Sequence, residues 1–317
     1  MTWTKDSGSG APIGAVERDT GLSKDTLRVW ERRYGFPRPA RDEFGERAYS
    51  VDDVTKLRLI KRLIDLGHRP GKIIELPVGD LHELAQGGAT GRKSLRAKAQ
   101  PAQAMGPRDD LLPYLELVKQ HRVHELRTRF AQEVLRLGLG RFVASRVAPL
   151  NDMVGDAWTR GYFEVFEEHL YTETVQVIMR NAINAIPLDG RRPKVLLTTF
   201  PQEAHGIGIL MAEATLALEG CRCVSLGTQT PDRDIVLAAN AHESDIVALS
   251  FSSSLPPNPV LDGLDELRTK LPPSVEIWAG GACPVLHRRP PSHVRTFRTL
   301  DAIAPAVAQW RKAHSVD

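Results

Sequence analysis

A multidomain chain, helical through its first 190 residues and α/β thereafter, is predicted by three observations on this 317-residue sequence. Basic and apolar positions separate with a helical period between Lys24 and Tyr34, and helical periodicity runs again from Leu111 to Pro187. From Pro193 onward, apolar runs alternate with helical stretches five times, which argues a parallel, doubly wound, Rossmann-like sheet. The expected order is a helix-turn-helix module at residues 1–86, a linker at 87–110, a four-helix bundle at 111–190 and the Rossmann-like domain at 191–317.

Length and composition agree with that order. The chain exceeds one typical domain, and 42% hydrophobic content supports packed cores. There is no apolar run long enough for a membrane helix, and the polar start lacks a signal-peptide core, so a soluble, cytoplasmic protein is expected. Cys221, Cys223 and Cys283 lie in or beside expected strands without zinc-site spacing and read as reduced, buried thiols.

In the first module, Gly21 to Gly35 reads as a capped helix. Ser23 is the N-cap, Leu22 and Leu27 have the spacing of a hydrophobic staple, and Gly35 ends the run. Lys24, Arg28 and Arg32 recur every four residues, whereas Leu27, Trp30 and Tyr34 recur at three and four. With the shorter helix Ile13 to Asp19 ahead of it, this is a helix-turn-helix candidate. Six basic residues against two acidic lie between Lys24 and Arg41, although the whole chain carries only +3. Positive charge is therefore concentrated where a phosphate backbone can be met, the alternative being an ordinary solvated helix.

From Gly87 to Asp110, Gly, Ala, Gln, Pro and basic residues replace apolar periodicity, as in a flexible linker. Four helices follow, with breaks expected near Arg122, Gly138 and Gly161.

The last third carries the chemistry. Glu203 stands two residues before His205, and Gly208 three after it, between the apolar run Lys194 to Thr199 and a helical pattern from Ile209 to Leu218. An imidazole on such a turn lies beyond the carboxyl end of a strand, where open α/β sheets bind ligands. A nearby carboxylate that takes the hydrogen bond of one ring nitrogen fixes the tautomer and raises the basicity of the other as a metal ligand. A solvated or N-capping loop histidine is the alternative. Ser253-Ser254-Leu255 closes the strand Asp245 to Phe251, and Gly280-Gly281 closes Val275 to Ala279, so one ligand can touch all three loops.

These loops resemble the cobalamin-binding domain shared by methionine synthase and corrinoid-dependent mutases, with its D-x-H-x-x-G, S-x-L and G-G pattern. Glu203 replaces the usual Asp, and the resemblance covers residues 193–317. It implies that His205 is the lower axial ligand to cobalt, with Glu203 as its partner and Gly208 and Leu255 completing the motifs. By the same resemblance, Ser253 hydrogen-bonds the displaced dimethylbenzimidazole, and Gly280 and Gly281 leave room for the nucleotide tail.

Thr26-Leu27-Arg28, Trp30-Glu31, Pro39 to Arg41, Gly45, Arg47, Tyr49 and Asp53-Val54 resemble, in order and spacing, the MerR family of winged helix-turn-helix regulators. That likeness implies contacts to double-stranded DNA from Arg28, Trp30, Arg41, Arg47 and Tyr49, mostly to phosphate, with Lys24 and Asp25 nearer the bases.

Between the two, Trp158 is followed after nine residues by Glu168-His169. The whole combination resembles the CarH and LitR group of light-responsive repressors, in which this pattern covers the upper face of adenosylcobalamin. The resemblance implies that Trp158 shields the adenosyl group, Glu168 contacts it and His169 supports the pocket. A sensor is expected, not an enzyme. Adenosylcobalamin held through His205 favours a homo-oligomer, dimer or tetramer, formed by the C-terminal half; this represses at operator DNA until light breaks the cobalt–carbon bond. Thr159 stands where the best-described members carry a further histidine, leaving His121, His124, His169 or water for the upper face after light. The remaining alternatives are a cobalamin-independent regulator acting through protein contacts, a corrinoid carrier for methyl transfer, and haem in place of cobalamin.

Overall fold

The computed structural model describes residues 10–42, 44–65, 68–87, 110–159, 162–187, 191–253 and 255–314. They form two compact units: the described part of Met1–Ala104 with Gly155–Val165, and the described part of Met105–Val154 with Phe166–Asp317. This grouping differs from the four-part sequence reading. The helical segment and the Rossmann-like segment make one unit, and the stretch around Trp158 belongs with the amino-terminal one. Periodicity tells which residues are helical, not which neighbour covers them.

In the first unit β1 (Ala11–Pro12), α1 (Ile13–Thr20), α2 (Lys24–Tyr34), β2 (Ala40–Arg41), β3 (Arg47–Tyr49), α3 (Val51–Asp65), α4 (Pro70–Ile73) and α5 (Val78–Gly87) follow in order. Strand β3 lies between β1 and β2, antiparallel to both. Helix α2 begins where Ser23 Oγ accepts the Thr26 N–H at 3.2 Å. It stops at Gly35, whose φ of +63° lets its N–H return to the Glu31 carbonyl. Its apolar side, Leu27 and Trp30, packs with Tyr49, Leu57, Ile60 and Leu63. Two ion pairs lock the module: Arg58 of α3 forks onto Asp19 of α1 at 2.7 and 2.8 Å, and Arg47 of β3 donates to Glu31 of α2 at 2.7 Å. The expected linker lies, from 88 to 109, outside the described residues.

The second unit opens with α6 (Leu112–Lys119), α7 (Val123–Leu137) and α8 (Leu139–Phe142). A π-helical turn, Val143–Val147, carries the last of these into α9 (Ala148–Thr159), of which the residues up to Val154 belong to this unit, and α10 (Val165–Asn184), from Phe166 on, completes the helical set. Tyr114 stacks on Phe130 at 5.2 Å, and Phe142 meets Phe130 edge-on at 5.7 Å. The buried carboxylate of Glu167 is satisfied by Lys119 at 2.9 Å and His121 at 3.0 Å.

The sheet comprises β4 (Arg191–Thr198), β5 (Cys221–Gly227), β6 (Ile246–Ser250), β7 (Glu276–Gly280) and β8 (Val294–Phe297). Its helices are α11 (Ile207–Leu218), α12 (Asp232–Ala241), α13 (Pro257–Lys270), α14 (Val285–Arg288) and α15 (Ile303–Ala313). All strand pairs are parallel, in the order β5-β4-β6-β7-β8. Alternation along β4 builds both cores, since Leu196 packs with residues of α12 and α13, and Val195 and Leu197 with residues of α11 and α15. The three cysteines are free thiols; burial pushes Cys221 up to about 11.

At the amino end of the sheet, Asp245 accepts from Arg192 and from the Lys194 N–H, the latter at 2.7 Å. Burial pushes its carboxyl up, but the Arg192 guanidinium and the Lys194 N–H outweigh burial and hold it below its ordinary value. A carboxyl depressed in the folded state contributes stability that is complete above the unfolded value and is lost as pH falls through the folded one. Asp245→Asn is expected to cost about 2 kcal/mol at pH 7, a penalty that shrinks below about pH 4. Urea unfolding of both proteins across that range measures it.

Candidate functional site

From β4 the chain crosses to β5 on one side, while β6 lies on the other. The order therefore reverses between β4 and β6, and in open α/β sheets such a switch point is where ligands bind, beyond the carboxyl ends of the strands. His205 follows β4 and Ser253 follows β6, so topology places both loops there.

Glu203 is 1% exposed and His205 Nδ1 lies 2.6 Å from its Oε1. The same oxygen accepts the His205 N–H at 2.9 Å, and Oε2 accepts the Ser252 N–H at 2.6 Å. Burial pushes the Glu203 carboxyl up, yet the bonds from His205 and Ser252 prevail and hold it below its ordinary value. An ionised Glu203 accepts only, so Nδ1 is the protonated ring nitrogen, and Nε2 is the one chemically suited to a metal. The imidazole itself reaches outward, with 68% of its side chain exposed. Around it the turn is braced by Thr199, whose hydroxyl donates to the Glu203 carbonyl at 2.7 Å, and by the edge-on pair Phe200–Phe251.

Gly208 opens α11 against β6, where a Cβ atom would stand 2.5 Å from Ser250 Oγ. Ser253 is exposed and Leu255 half-buried, packed at the edge of the core. At the end of β7 the two glycines differ. A Cβ on Gly280 would make ordinary contact with Phe297 at 3.7 Å, whereas one on Gly281, at φ +110°, would lie 2.2 Å from the Phe251 carbonyl oxygen. Gly281 therefore answers to the backbone of its own fold.

Helix α10 also comes to this edge. Arg180 pairs with Glu213 of α11 at 3.2 Å, and Gln176 lies 3.7 Å from where a Cβ on Gly206 would sit. Glu168, Thr172, Gln176 and Arg180 recur every four residues on that face. Glu168 accepts from the Thr172 hydroxyl at 2.6 Å and lies two turns, about 12 Å, before Gln176. His169 is 68% exposed in its side chain and 3.6 Å from Glu168. Thr172 and Gln176 were not singled out in the sequence, where the four-residue spacing was the available signal, and Ser252 acts on Glu203 through its backbone N–H, which leaves none.

Trp158 groups with the first unit, where the Arg58 guanidinium lies 6.0 Å from its ring. The side chain of Thr159 is outside the described residues. Among the described residues, no cluster of three or more His, Cys, Asp or Glu has the form of a metal site.

On the winged helix, Lys24, Arg28 and Arg41 are exposed, with Arg28 beside Asp25 at 3.2 Å and Lys24 beside Glu17 at 3.5 Å. Two residues expected at DNA stand inside the fold. Trp30 is 6% exposed and Tyr49 fully buried, both in the hydrophobic core, because they occupy the inward faces of α2 and β3. Arg47, 26% exposed in its side chain, is committed to Glu31 and ties the wing to α2.

Comparison with known proteins matches both ends of the chain. The family of MerR HTH family regulatory proteins matches residues 11–76, and the B12 binding domain matches residues 193–290. The HTH-type transcriptional repressor CarH of Myxococcus xanthus is 32% identical over 269 residues, covering 84% of this chain and 87% of that protein. CarA, an HTH-type transcriptional repressor of the same organism, is 27% identical over 288 residues, covering 85% and 86%. With a DNA-binding winged helix at one end and a cobalamin-binding sheet at the other, the chain belongs to the CarH family of transcriptional repressors.

Proposed function

We propose that this protein is an adenosylcobalamin-dependent, light-responsive repressor that holds operator DNA as a homo-oligomer in darkness and releases it on illumination. The observation that carries the reading is the Glu203–His205 pair at the switch point of the sheet, with Nδ1 held at 2.6 Å and the ring directed outward. When bound, adenosylcobalamin supplies a cobalt–carbon bond that visible light breaks.

The residues fit such a group. Glu203 orients the imidazole and keeps its Nε2 basic, so that His205 would hold the cobalt. Ser253, Leu255 and the Gly280-Gly281 turn border the crevice that takes the nucleotide tail. Glu168, on the α10 face whose Gln176 meets the His205 turn, is suited to accept hydrogen bonds from ribose hydroxyls, with His169 beside it. In this reading the functional parts are residues 1–86 for DNA, 111–190 as cap and 191–317 for the cofactor. Several winged helices joined in one assembly gain avidity of about a hundredfold or more over a single one.

Reconstitution with adenosylcobalamin in darkness, followed by absorbance and size-exclusion chromatography before and after green light, tests the reading. Dark protein is expected to show a bound cobalamin spectrum whose dimethylbenzimidazole is displaced, and its mass is expected to fall on illumination. Bound cobalamin with an unchanged mass removes the assembly mechanism, and colourless protein removes the sensor.

A further inference from the structure

The wing between β2 and β3 is built around one carboxylate. Asp42 Oδ1 accepts the N–H groups of Phe44 at 2.9 Å and Glu46 at 2.8 Å. Backbone bonds run from Asp42 N–H to the Glu46 carbonyl and from Gly45 N–H to the Asp42 carbonyl, each at 3.0 Å. Arg41 Nη1 closes the turn by donating to the Gly45 carbonyl at 2.7 Å. This much order presents Phe44, a large apolar side chain that is 81% exposed. Isolated exposed apolar residues are common, and this one stands at the tip of the hairpin of a DNA-binding module. The tip is also tied to the recognition helix, since Arg47 in β3 pairs with Glu31 in α2 at 2.7 Å. A hairpin held beside a helix that enters the major groove is within reach of the adjoining minor groove, where the arms of such modules bind.

Charge decides what kind of contact the tip can make. Among the described residues of the turn Asp42 and Glu46 are acidic, and the exposed Arg41 spends one N–H on the Gly45 carbonyl, so attraction to a phosphate does not by itself explain the tip. Among the described residues of the turn, the large apolar side chain left exposed is the Phe44 ring. Apolar side chains carried to the minor groove insert between base steps, partly unstack them and bend the duplex, which favours sequences with easily opened pyrimidine–purine steps.

We propose that Phe44 is an apolar wedge that the wing inserts at a base step of the minor groove flanking the α2 contact, and that it determines specificity at positions the recognition helix does not reach. The proposal rests on DNA binding by the winged helix and is independent of which group His205 holds.

The test uses the full chain, reconstituted with adenosylcobalamin in darkness, and a duplex selected by the wild-type protein from a random pool. Copies of that duplex carry 2-aminopurine at successive flanking positions. Wild-type protein is expected to brighten the probe at one step. Phe44→Ala is expected to abolish that signal and weaken binding about tenfold, with the dependence of affinity on salt unchanged because no phosphate contact is lost. Phe44→Trp is expected to keep both. Wild-type affinity and an unchanged fluorescence pattern for Phe44→Ala would overturn the proposal. A change in the mass of free Phe44→Ala by size exclusion, with the fluorescence pattern kept, would overturn it in favour of a contact between copies of this chain. Phe44 makes no core contact, so the variant is expected to fold, and selection with wild type establishes binding beforehand.

Discussion

Replacing His205 by alanine is expected to lower the affinity for adenosylcobalamin by about a hundredfold or more while leaving the melting curve of the protein without cofactor nearly unchanged. The two halves of that expectation have separate causes. His205 is mostly exposed on its turn and contributes little packing, so its loss costs the fold little. Its Nδ1, however, is held by a carboxylate that is itself fixed by two backbone N–H groups, which makes the imidazole a preorganised ligand with a set tautomer. Glu203→Gln keeps the shape but not the charge and is expected to fall between, with affinity down about ten- to a hundredfold. It is also expected to lower stability, because Glu203 is buried where His205 is not. Absorbance titration in darkness reads the first quantity and thermal unfolding the second. An alanine variant that keeps wild-type affinity and spectrum would assign the lower ligand to another group.

Gly281→Ala is expected to destabilise the carboxyl-terminal unit by about 3 kcal/mol or more, and Gly280→Ala by less than about 1 kcal/mol. Gly281 has φ +110°, and its missing Cβ would stand 2.2 Å from the Phe251 carbonyl oxygen and 3.0 Å from the Phe251 N and carbonyl carbon. Neither strain nor overlap can relax cheaply, because that carbonyl accepts the Cys283 N–H, and the Phe251 N–H is bound to the Gly280 carbonyl at 3.0 Å. At Gly280, by contrast, a methyl group meets Phe297 at an ordinary distance. Denaturant midpoints without cofactor separate the two. The sequence motif treats these glycines alike, as clearance for a ligand, whereas the fold requires the second of them with no ligand present. If cobalamin affinity falls for Gly280→Ala at unchanged stability, that glycine is the one that leaves room for the ligand.

Features that obey local rules are legible in the chain itself. The serine before Lys24 and the glycine after Tyr34 mark helix ends because unpaired N–H and C=O groups at those points need partners or a left-handed residue. The apolar runs of β4, β6 and β7 mark buried parallel strands because both faces are covered. Glu203 and His205, two residues apart on a turn, are recognisable as a pair for the same reason: their geometry is local.

What the tertiary structure decided lies in contacts distant along the chain. The helical period sets Trp30 on the apolar face with Leu27, but the family motif counts it and Tyr49 among DNA contacts, and packing of α2 and β3 against Leu57, Ile60 and Leu63 places both in the core. The second oxygen of Glu203 is closed by the N–H of Ser252, forty-nine residues away and independent of side-chain type. Trp158, spaced like a partner of Glu168, groups with the winged helix, because the period of a helix says which side chains share a face but not what meets that face. The sequence by itself determined the winged helix, the helices, the sheet and the orienting carboxylate beside the histidine, since each depends on neighbours within a few residues. Burial of the aromatics, the backbone demand at Gly281 and the closure around Glu203 depend on which strands and helices come together, and that is settled by cores assembled from the whole chain.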